Sequence, residues 1–324
     1  MIDAFHTLTK LIKKYDNVCI MTHKNPDLDG LGASICLYKI VTSFKKECYI
    51  IDTEEPKDRS VLKMYEFLQQ NKVEVKQKAE KKALQEISEN TLLIILDVHK
   101  AEMVESKKIL ENCKHVIVLD HHIKGTNYIK ETEFSYINSS ISSVTEFMVY
   151  YLKYLNKTVE SIIATIMITG IEIDTSNYKL KTTEKTYEAA AILTSMGANS
   201  ILKQELLKET KEAYLKRSYF VDKSDMINEN MALCMMDDSI YTPKDLAEIA
   251  EQLLQFDKVE ASFTIGRLEK NVIGVSARSL GNVNVEEIMS ILGGGGHLTD
   301  AAAQLANAKM EEVKNRIIEI VNQR

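Results

Sequence analysis

Val18-Cys-Ile-Met-Thr-His-Lys-Asn-Pro-Asp-Leu-Asp-Gly30 opens on an apolar run and ends on a cluster of polar donors. The β-rich run Val18–Thr22 predicts a buried strand, and the pattern over Leu31–Phe44 predicts the helix that follows it. His23, Asp27 and Asp29 therefore leave one strand-to-loop edge. Pro26 sets a turn and disfavours helix at Asn25. Asp27 and Asp29, two apart, point the same way in an extended loop. Gly30 and Gly32 admit close backbone approach as the helix begins. A capped helix start accounts for one Asp but not for His23 with both carboxylates. Imidazole and oxygen donors at this spacing suit a hard or borderline divalent ion.

The same grammar recurs along the chain. Leu92-Leu-Ile-Ile-Leu96 runs into Asp97, and Val116-Ile-Val-Leu119 runs into Asp120-His121-His122. With Cys48–Asp52 these make four strands separated by helical patterns at Arg59–Gln70, Lys81–Ser88 and Glu102–Glu111. Apolar strands alternating with helices indicate an α/β fold, a parallel sheet covered by helices. In such sheets ligands gather at the carboxyl ends of the strands, where Asp97 and Asp120 stand. Three titratable residues directly after a buried strand are costly unless they have partners. The adjacent histidines point opposite ways on extended chain, so one can bind metal while the other faces substrate. Asp174, in Gly170-Ile-Glu-Ile-Asp174, reads like Asp97 as an acidic strand end and makes the donors numerous enough for two ions.

From about Ile141 to Met196 the pattern is helical, interrupted at Gly170–Asp174. We read residues 1–200 as a catalytic metal-binding domain, 201–224 as a charged, partly helical linker, and 225–324 as a smaller α/β domain. In the last, strand-like segments at Met231–Met236, Glu260–Arg267 and Val272–Arg278 precede a helix at Asn284–Leu292. Met310, Val313, Ile317, Ile318 and Val321 then share one helical face. The active site is expected in the cleft between the domains. Four consecutive glycines, Gly293–Gly296, followed by His297, offer backbone N–H groups to a phosphate or a base edge. Arg278 can clamp a phosphate or stack on a base, or form a surface ion pair.

Composition limits the partners. Of 324 residues, 45% are hydrophobic and 27% charged, with a net charge of -6, values of an ordinary globular protein. An acidic balance argues against holding duplex nucleic acid by bulk charge, while bound metal can still reverse the local sign for a small anion. The absence of Trp and of a basic aromatic groove disfavours a processive exonuclease on long single strands. Cys19, Cys36, Cys48, Cys113 and Cys234 are odd in number and scattered, which reads as a reducing cytoplasm. No signal peptide pattern opens the sequence. The apolar stretch Ile162–Gly170 is about half a membrane span and reads as a buried helix.

Taken in order, His23-x-x-x-Asp27-x-Asp29, Asp97, Asp120-His121-His122 and Asp174 resemble the four motifs of DHH-family phosphoesterases. Gly293-Gly-Gly-Gly-His297 resembles the signature of the DHH-associated C-terminal domain, so the resemblance spans nearly the whole chain. It implies a dinuclear site, usually manganese: His23, Asp27 and Asp97 on one ion, and Asp29, Asp97, His121 and Asp174 on the other. It further implies Asp97 as a catalytic bridge, Asp120 orienting the ligand histidine, and His122 facing the scissile phosphate. A metal-activated water attacks phosphorus without a covalent enzyme intermediate. Arg278, Ser279, Gly294, Gly295, Gly296 and His297 fall to substrate binding.

Within the family, Asp97-Val-His99-Lys100 resembles the Asp-Thr-His-Arg form of bacterial cyclic di-AMP phosphodiesterases. Gly170–Ser176, Ala277–Asn284 and Gly293–Thr299 resemble the same branch. That implies hydrolysis of cyclic di-AMP to pApA in bacterial signalling. The alternatives are an oligoribonuclease that also cleaves adenosine 3',5'-bisphosphate, a family II pyrophosphatase, or a nucleotide sensor without turnover. His99 reads equally as a partner behind the ligands or as a polar residue at a strand end. Ser142, Ser143 and Glu146 read as a phosphate aid or a helix cap. Members of this branch commonly carry membrane helices, a sensory domain and a cyclase-like domain ahead of the catalytic part. None is in this sequence, so it is either a shorter cytoplasmic relative or a segment of a membrane-anchored parent. The resemblance also suggests a homodimer, which no stretch of the sequence establishes.

Overall fold

The computed structural model describes residues 1–53, 57–125, 127–296 and 298–323. Two compact units divide at Lys208/Glu209. In the first, α1 (Ile2–Lys14) leads into β1 (Asn17–Met21), α2 (Leu28–Ser43), β2 (Glu47–Ile51), α3 (Arg59–Gln70) and β3 (Gln77–Lys78). Next come α4 (Glu80–Glu86), β4 (Thr91–Leu96), α5 (Lys107–Asn112), β5 (His115–Asp120) and β6 (Phe134–Ile137). Four helices complete it: α6 (Val144–Leu155), α7 (Ser161–Asp174), α8 (Glu184–Ser195) and α9 (Ser200–Leu207).

The six strands lie in the order β3-β2-β1-β4-β5-β6, every pair parallel. Alternate residues feed opposite faces. Val18, Ile20, Ile50, Leu92, Ile94, Ile117 and Leu119 pack with α1, α2, α6 and α7. Cys19, Met21, Tyr49, Ile51, Leu93, Ile95 and Val118 pack over Ala83 of α4 and Ile109 of α5. Both faces are therefore buried, which is why these strands read as continuous apolar runs. The chain lays down β1, β2 and β3 toward one edge and then returns across β1 to place β4, β5 and β6 toward the other. The reversal opens a crevice between the carboxyl ends of β1 and β4, the switch point where such sheets bind ligands.

Several elements differ from the sequence expectation. Helix α2 begins at Leu28 rather than Leu31, because Asp27 caps it. Helix α5 begins at Lys107 rather than Glu102, because Ser106 caps it and Val104 bridges back to His23. Gly170 does not interrupt the helical pattern: α7 runs through it to Asp174, which ends a helix and not the expected strand. Helix α1, which buries Ala4, Phe5, Leu8 and Ile12, and the half-buried strand β6 were not among the predicted elements. No helix of the described residues is long and apolar enough to cross a membrane, and all five cysteines are buried and unpaired with one another.

The second unit comprises α10 (Lys211–Asp222), β7 (Asp225–Met226), β8 (Met231–Ile240), α11 (Pro243–Leu253), β9 (Ala261–Glu269), β10 (Val272–Ser279), α12 (Val285–Ile291), β11 (Gly295–Gly296), β12 (Asp300–Ala306) and α13 (Met310–Asn322). Its sheet runs β11-β12-β10-β9-β8-β7, antiparallel except for the parallel β8/β9 pair. One face packs Phe263, Ile265, Ile273 and Val275 on α12 and α13. The other packs Cys234 and Met236 on α10 and α11. Residues 201–224, predicted as a linker, hold α9, which packs on α7, and α10, which packs on α11.

Candidate metal centre

Every donor of the site leaves the carboxyl edge of the parallel sheet or a helix end beside it. After β1, His23 turns Nδ1 to the Lys24 carbonyl at 2.7 Å. A carbonyl only accepts, so Nδ1 carries a proton, and Nε2 points the other way, 3.4 Å from Asp97 Oδ2. Asp27 caps α2 through Oδ1, which accepts from the amides of Asp29 at 2.9 Å and Gly30 at 3.1 Å. Capping and metal binding are thus compatible in one residue, because Oδ2 is not committed to the cap.

Asp29 is fully buried. Its two oxygens accept from the first amides of α6, Val144 at 2.8 Å and Thr145 at 2.8 Å. Ser143 caps the same helix by accepting from Glu146 N. Asp29, from distant sequence, and Ser143, directly before the helix, together satisfy the start of α6. Glu146 is buried, with Oε2 accepting from Ser142 and Thr186, which makes that trio a structural box.

Asp97 follows β4 with φ at +63°, a left-handed conformation uncommon for a residue with a Cβ. Its amide donates to Leu119 O at 2.9 Å, which locks the turn over β5. His121 Nε2 lies 3.2 Å from Asp97 Oδ1 and 3.0 Å from Asp174 Oδ2. Besides a group of Asp97, Asp120, His121 and His122, the donors form two overlapping groups within binding reach of one cation each: His23, Asp27 and Asp97, and Asp29, Asp97, His121 and Asp174. Asp97 belongs to both. Asp97 Oδ1 and Asp174 Oδ2 are buried without a well-formed hydrogen bond among the described residues. Unsatisfied oxygens in a dry, acid-rich cluster are what a divalent cation would complete, so the donor set fits a metal.

The electrostatics agree. Burial, reinforced by the charges of Asp97 and Asp174, pushes Asp27 up to about 6. Burial and the same two neighbours hold Asp29 well above the usual carboxylate range. Burial opposes charge on His23, but the Asp97 carboxylate outweighs it and raises the imidazole to about 10. Likewise, burial is outweighed at His121 by Asp174 and Asp97, which raise it. Asp97 lies below the carboxylate range despite burial, because the imidazoles of His121 and His23 stand against it and favour its charge. Without a cation the cluster holds protons to offset its charge.

Asp120 departs from the predicted pairing. Its carboxylate serves His122 and His99, not the neighbouring His121: Oδ1 accepts from His122 Nδ1 at 2.7 Å and His122 N at 3.1 Å, and Oδ2 from His99 Nδ1. The reason is geometric. Asp120 ends β5, and the chain folds back so that His122 returns over it while His121 points to Asp97. The His122 side chain is 40% exposed.

In the second unit, Arg278 sits on β10 between Ser262 and Asp300 and donates to Ala277 O at 3.0 Å. Ser279 is buried and donates to Leu298 O at 3.2 Å. The glycines have a packing role of their own. A Cβ on Gly294 would stand 2.6 Å from Ala303 Cα, and one on Gly296 2.7 Å from Ala301 Cβ, so both let β11 lie close against β12. Only Gly295, of the three expected to bind substrate, has open space where a side chain would be. His297 lies outside the described residues.

Residues 17–171 match the DHH family, N-terminal domain, and residues 228–324 match the DHHA1 domain. A cyclic-di-AMP phosphodiesterase (GdpP) of Geobacillus thermodenitrificans is 35% identical over 328 residues, covering 98% of this chain and 49% of that protein. The chain therefore spans about half the length of that relative. A bifunctional oligoribonuclease and PAP phosphatase (NrnA) of Thermus thermophilus is 23% identical over 94% of this chain and 89% of its own. Among solved structures, an exopolyphosphatase-related protein from Bacteroides fragilis superposes with a TM-score of 0.81 at 19% identity, covering 98% of this chain and 96% of that one. That likeness bears on the fold alone.

Proposed function

Because the chain belongs to the DHH family, with its N-terminal domain followed by a DHHA1 domain, we propose that it is a metal-dependent phosphodiesterase that opens cyclic di-AMP to linear pApA. One observation carries the catalytic reading: two donor groups, His23/Asp27/Asp97 and Asp29/Asp97/His121/Asp174, converge and share Asp97. The similarity to a cyclic-di-AMP phosphodiesterase supports the substrate. Each group would hold one divalent ion, manganese being the first to test. Bound there, the pair supplies Lewis acidity and a water acidic enough to ionise near neutral pH.

The residues of the chain do the rest. Asp97 serves both groups and fixes their spacing. Asp29, tied through both oxygens to α6, presents its carboxylate without side-chain freedom. His122, its Nδ1 occupied by Asp120, offers Nε2 to the phosphate, where it donates a hydrogen bond to an oxygen that gains charge as the ester bond breaks. Substrate selection falls to the second unit, with Arg278 as the phosphate clamp.

A time course with manganese and cyclic di-AMP, resolving pApA and AMP by chromatography, tests this reading. Stoichiometric, stable pApA supports it. Rapid passage to AMP, or fast cleavage of pApA with the ring untouched, moves the function to an oligoribonuclease.

A further inference from the structure

We propose that His99 is a positioning residue that acts through Asp120 to hold His122 toward the substrate; the inference rests on the phosphate-facing role of His122 given above. His99 and Asp120 are both almost wholly buried, with exposures of 2% and 1%. His99 Nδ1 donates to Asp120 Oδ2. The other carboxylate oxygen takes both the ring and the backbone N–H of His122. The three residues form one line from the interior to the half-exposed imidazole. The His99 backbone is pinned in turn, its carbonyl accepting from Ile129 N at 2.8 Å.

A histidine kept only for packing would not look like this. His99 Nε2 is buried with no hydrogen-bond partner among the described residues, a cost of about 1–3 kcal/mol that an apolar side chain of similar size would avoid. What the imidazole gives in return is a donor to Asp120 Oδ2. Remove that donor and Oδ2 is stranded in the interior, so the carboxylate is free to turn toward another partner. Its grip on His122 loosens as it turns. His122 has a second carboxylate within reach, Asp97 Oδ1 at 3.7 Å from Nδ1. A released His122 is drawn toward the metal donors and away from the substrate side. His99 therefore keeps the phosphate-facing imidazole out of the metal centre. It also fixes the proton on Nδ1 and leaves Nε2 outward, the task an orienting carboxylate performs for a catalytic histidine.

The variants His99→Asn and His99→Gln separate this role from bulk. Asn places an amide N–H near the position of Nδ1 and should keep the bond to Asp120; Gln places it near Nε2 and should lose it. With manganese and cyclic di-AMP, His99→Gln should lower kcat by about 10- to 100-fold with KM within about twofold and metal content unchanged. His99→Asn should recover most of the loss. In a His122→Ala background, His99→Gln should add less than about a twofold further loss, because the two act in series. Ring 15N spectra of the metal-free protein give a readout that needs no turnover: His122 should be the Nδ1–H tautomer in the parent and His99→Asn, and a mixture in His99→Gln.

Equal kcat in Asn and Gln variants, a full independent loss in the double variant, or an unchanged His122 tautomer in His99→Gln would each overturn the proposal. Should the parent not cleave cyclic di-AMP, the substrate reading fails by itself. The tautomer measurement, and the same kinetics on the chromogenic diester bis(p-nitrophenyl) phosphate, then decide the role of His99 separately.

Discussion

Gly170→Ala should damage the metal centre although residue 170 carries no donor. Helices α2 and α7 cross where Gly170 faces the first turn of α2. A Cβ added there would stand 2.8 Å from both Asp29 Cα and Leu28 O. Ordinary contact begins near 3.4 Å, so the helices must part by about 0.6 Å, and the obstacle is backbone that cannot rotate away. Two terms compete. Replacing Gly by Ala inside a helix gains about 1 kcal/mol of propensity. Overpacking a tight crossing costs about 1–3 kcal/mol or more. With backbone on both sides the second wins. Asp29 rides on α2 and Asp174 ends α7, so the same displacement spreads two donors of one group, and an error of about 1 Å in such a site can lower turnover by about 100-fold.

The assay is manganese titration by calorimetry alongside thermal denaturation and kcat on cyclic di-AMP. We expect a lowered Tm in the metal-free state, weaker binding of one manganese equivalent, and a loss of kcat approaching that factor. Gly32→Ala is the internal control. Its Cβ meets Ile166 Cγ2 and Met167 Cα on the same helix pair at 3.4 Å, so propensity and crowding nearly cancel, and stability should stay within about 1 kcal/mol of the parent. If Gly170→Ala bound two manganese equivalents at parental affinity with kcat within twofold, the idea that this crossing sets the donor spacing would be wrong.

Three further outcomes are expected. Asp97→Ala should remove most bound metal and lower kcat by more than about 100-fold, since even partners behind a ligand commonly account for 10–100-fold; metal analysis showing full occupancy would refute a shared carboxylate. Arg278→Ala should raise KM by about tenfold, the worth of one charged hydrogen bond, with kcat little changed; an unchanged KM would remove Arg278 from substrate binding. The third outcome is a pH dependence of metal stabilisation. Asp27, raised to about 6, penalises the metal-free fold as pH climbs from about 4 through 6. His23, raised to about 10, contributes stability that is complete below about 6.5 and is lost toward 10. Both make the metal-free protein less stable with rising pH, while cations compete with fewer protons. The gain in Tm on adding manganese should therefore be larger at pH 8 than at pH 5.5, and scanning calorimetry showing a constant or reversed gain would contradict the assigned shifts.

The sheet and the donors were readable in the sequence because both are written locally. A buried parallel strand must be apolar on both faces, so Leu92–Leu96 and Val116–Leu119 announce themselves, and a carboxylate directly after such a run has nowhere to be but the sheet edge. Parallel topology then collects His23, Asp27, Asp29, Asp97 and His121, while Asp174 joins them from the end of α7. What escaped the sequence depends on residues far apart along the chain. The amides that hold Asp29 belong to Val144 and Thr145. Gly170 reads locally as a helix interruption, yet its reason is the backbone of Leu28 and Asp29. Gly294 and Gly296 read as a ligand cradle, yet β12 presses on both. The resemblance pairs Asp120 with the ligand histidine His121, but strand geometry sends neighbouring side chains to opposite sides and the partner is His122, two residues on. Short, half-exposed β6 has too little pattern to separate from loop.

The choice between helix cap and metal ligand, which the sequence poses for Asp27 and Asp29, dissolves once the helices are placed. Four carboxylates packed together repel one another, and a fold that gathers them before any cation arrives must offset part of that repulsion. Here Asp27 caps α2 and Asp29 accepts from the first two amides of α6, so two helix N-termini aim their amides, and the positive ends of their dipoles, at the cluster. The offset is partial: Gly30 N lowers the pKa of Asp27, yet burial and neighbouring charge still carry it to about 6, and Asp29 stays raised despite its two amide bonds. Caps strong enough to neutralise the cluster would leave little for a cation to gain. Caps too weak would let the loop rearrange in its absence. The observed balance fixes the positions of the donors while leaving their charge unsatisfied, which is the condition under which a divalent ion binds to a site that already has its shape.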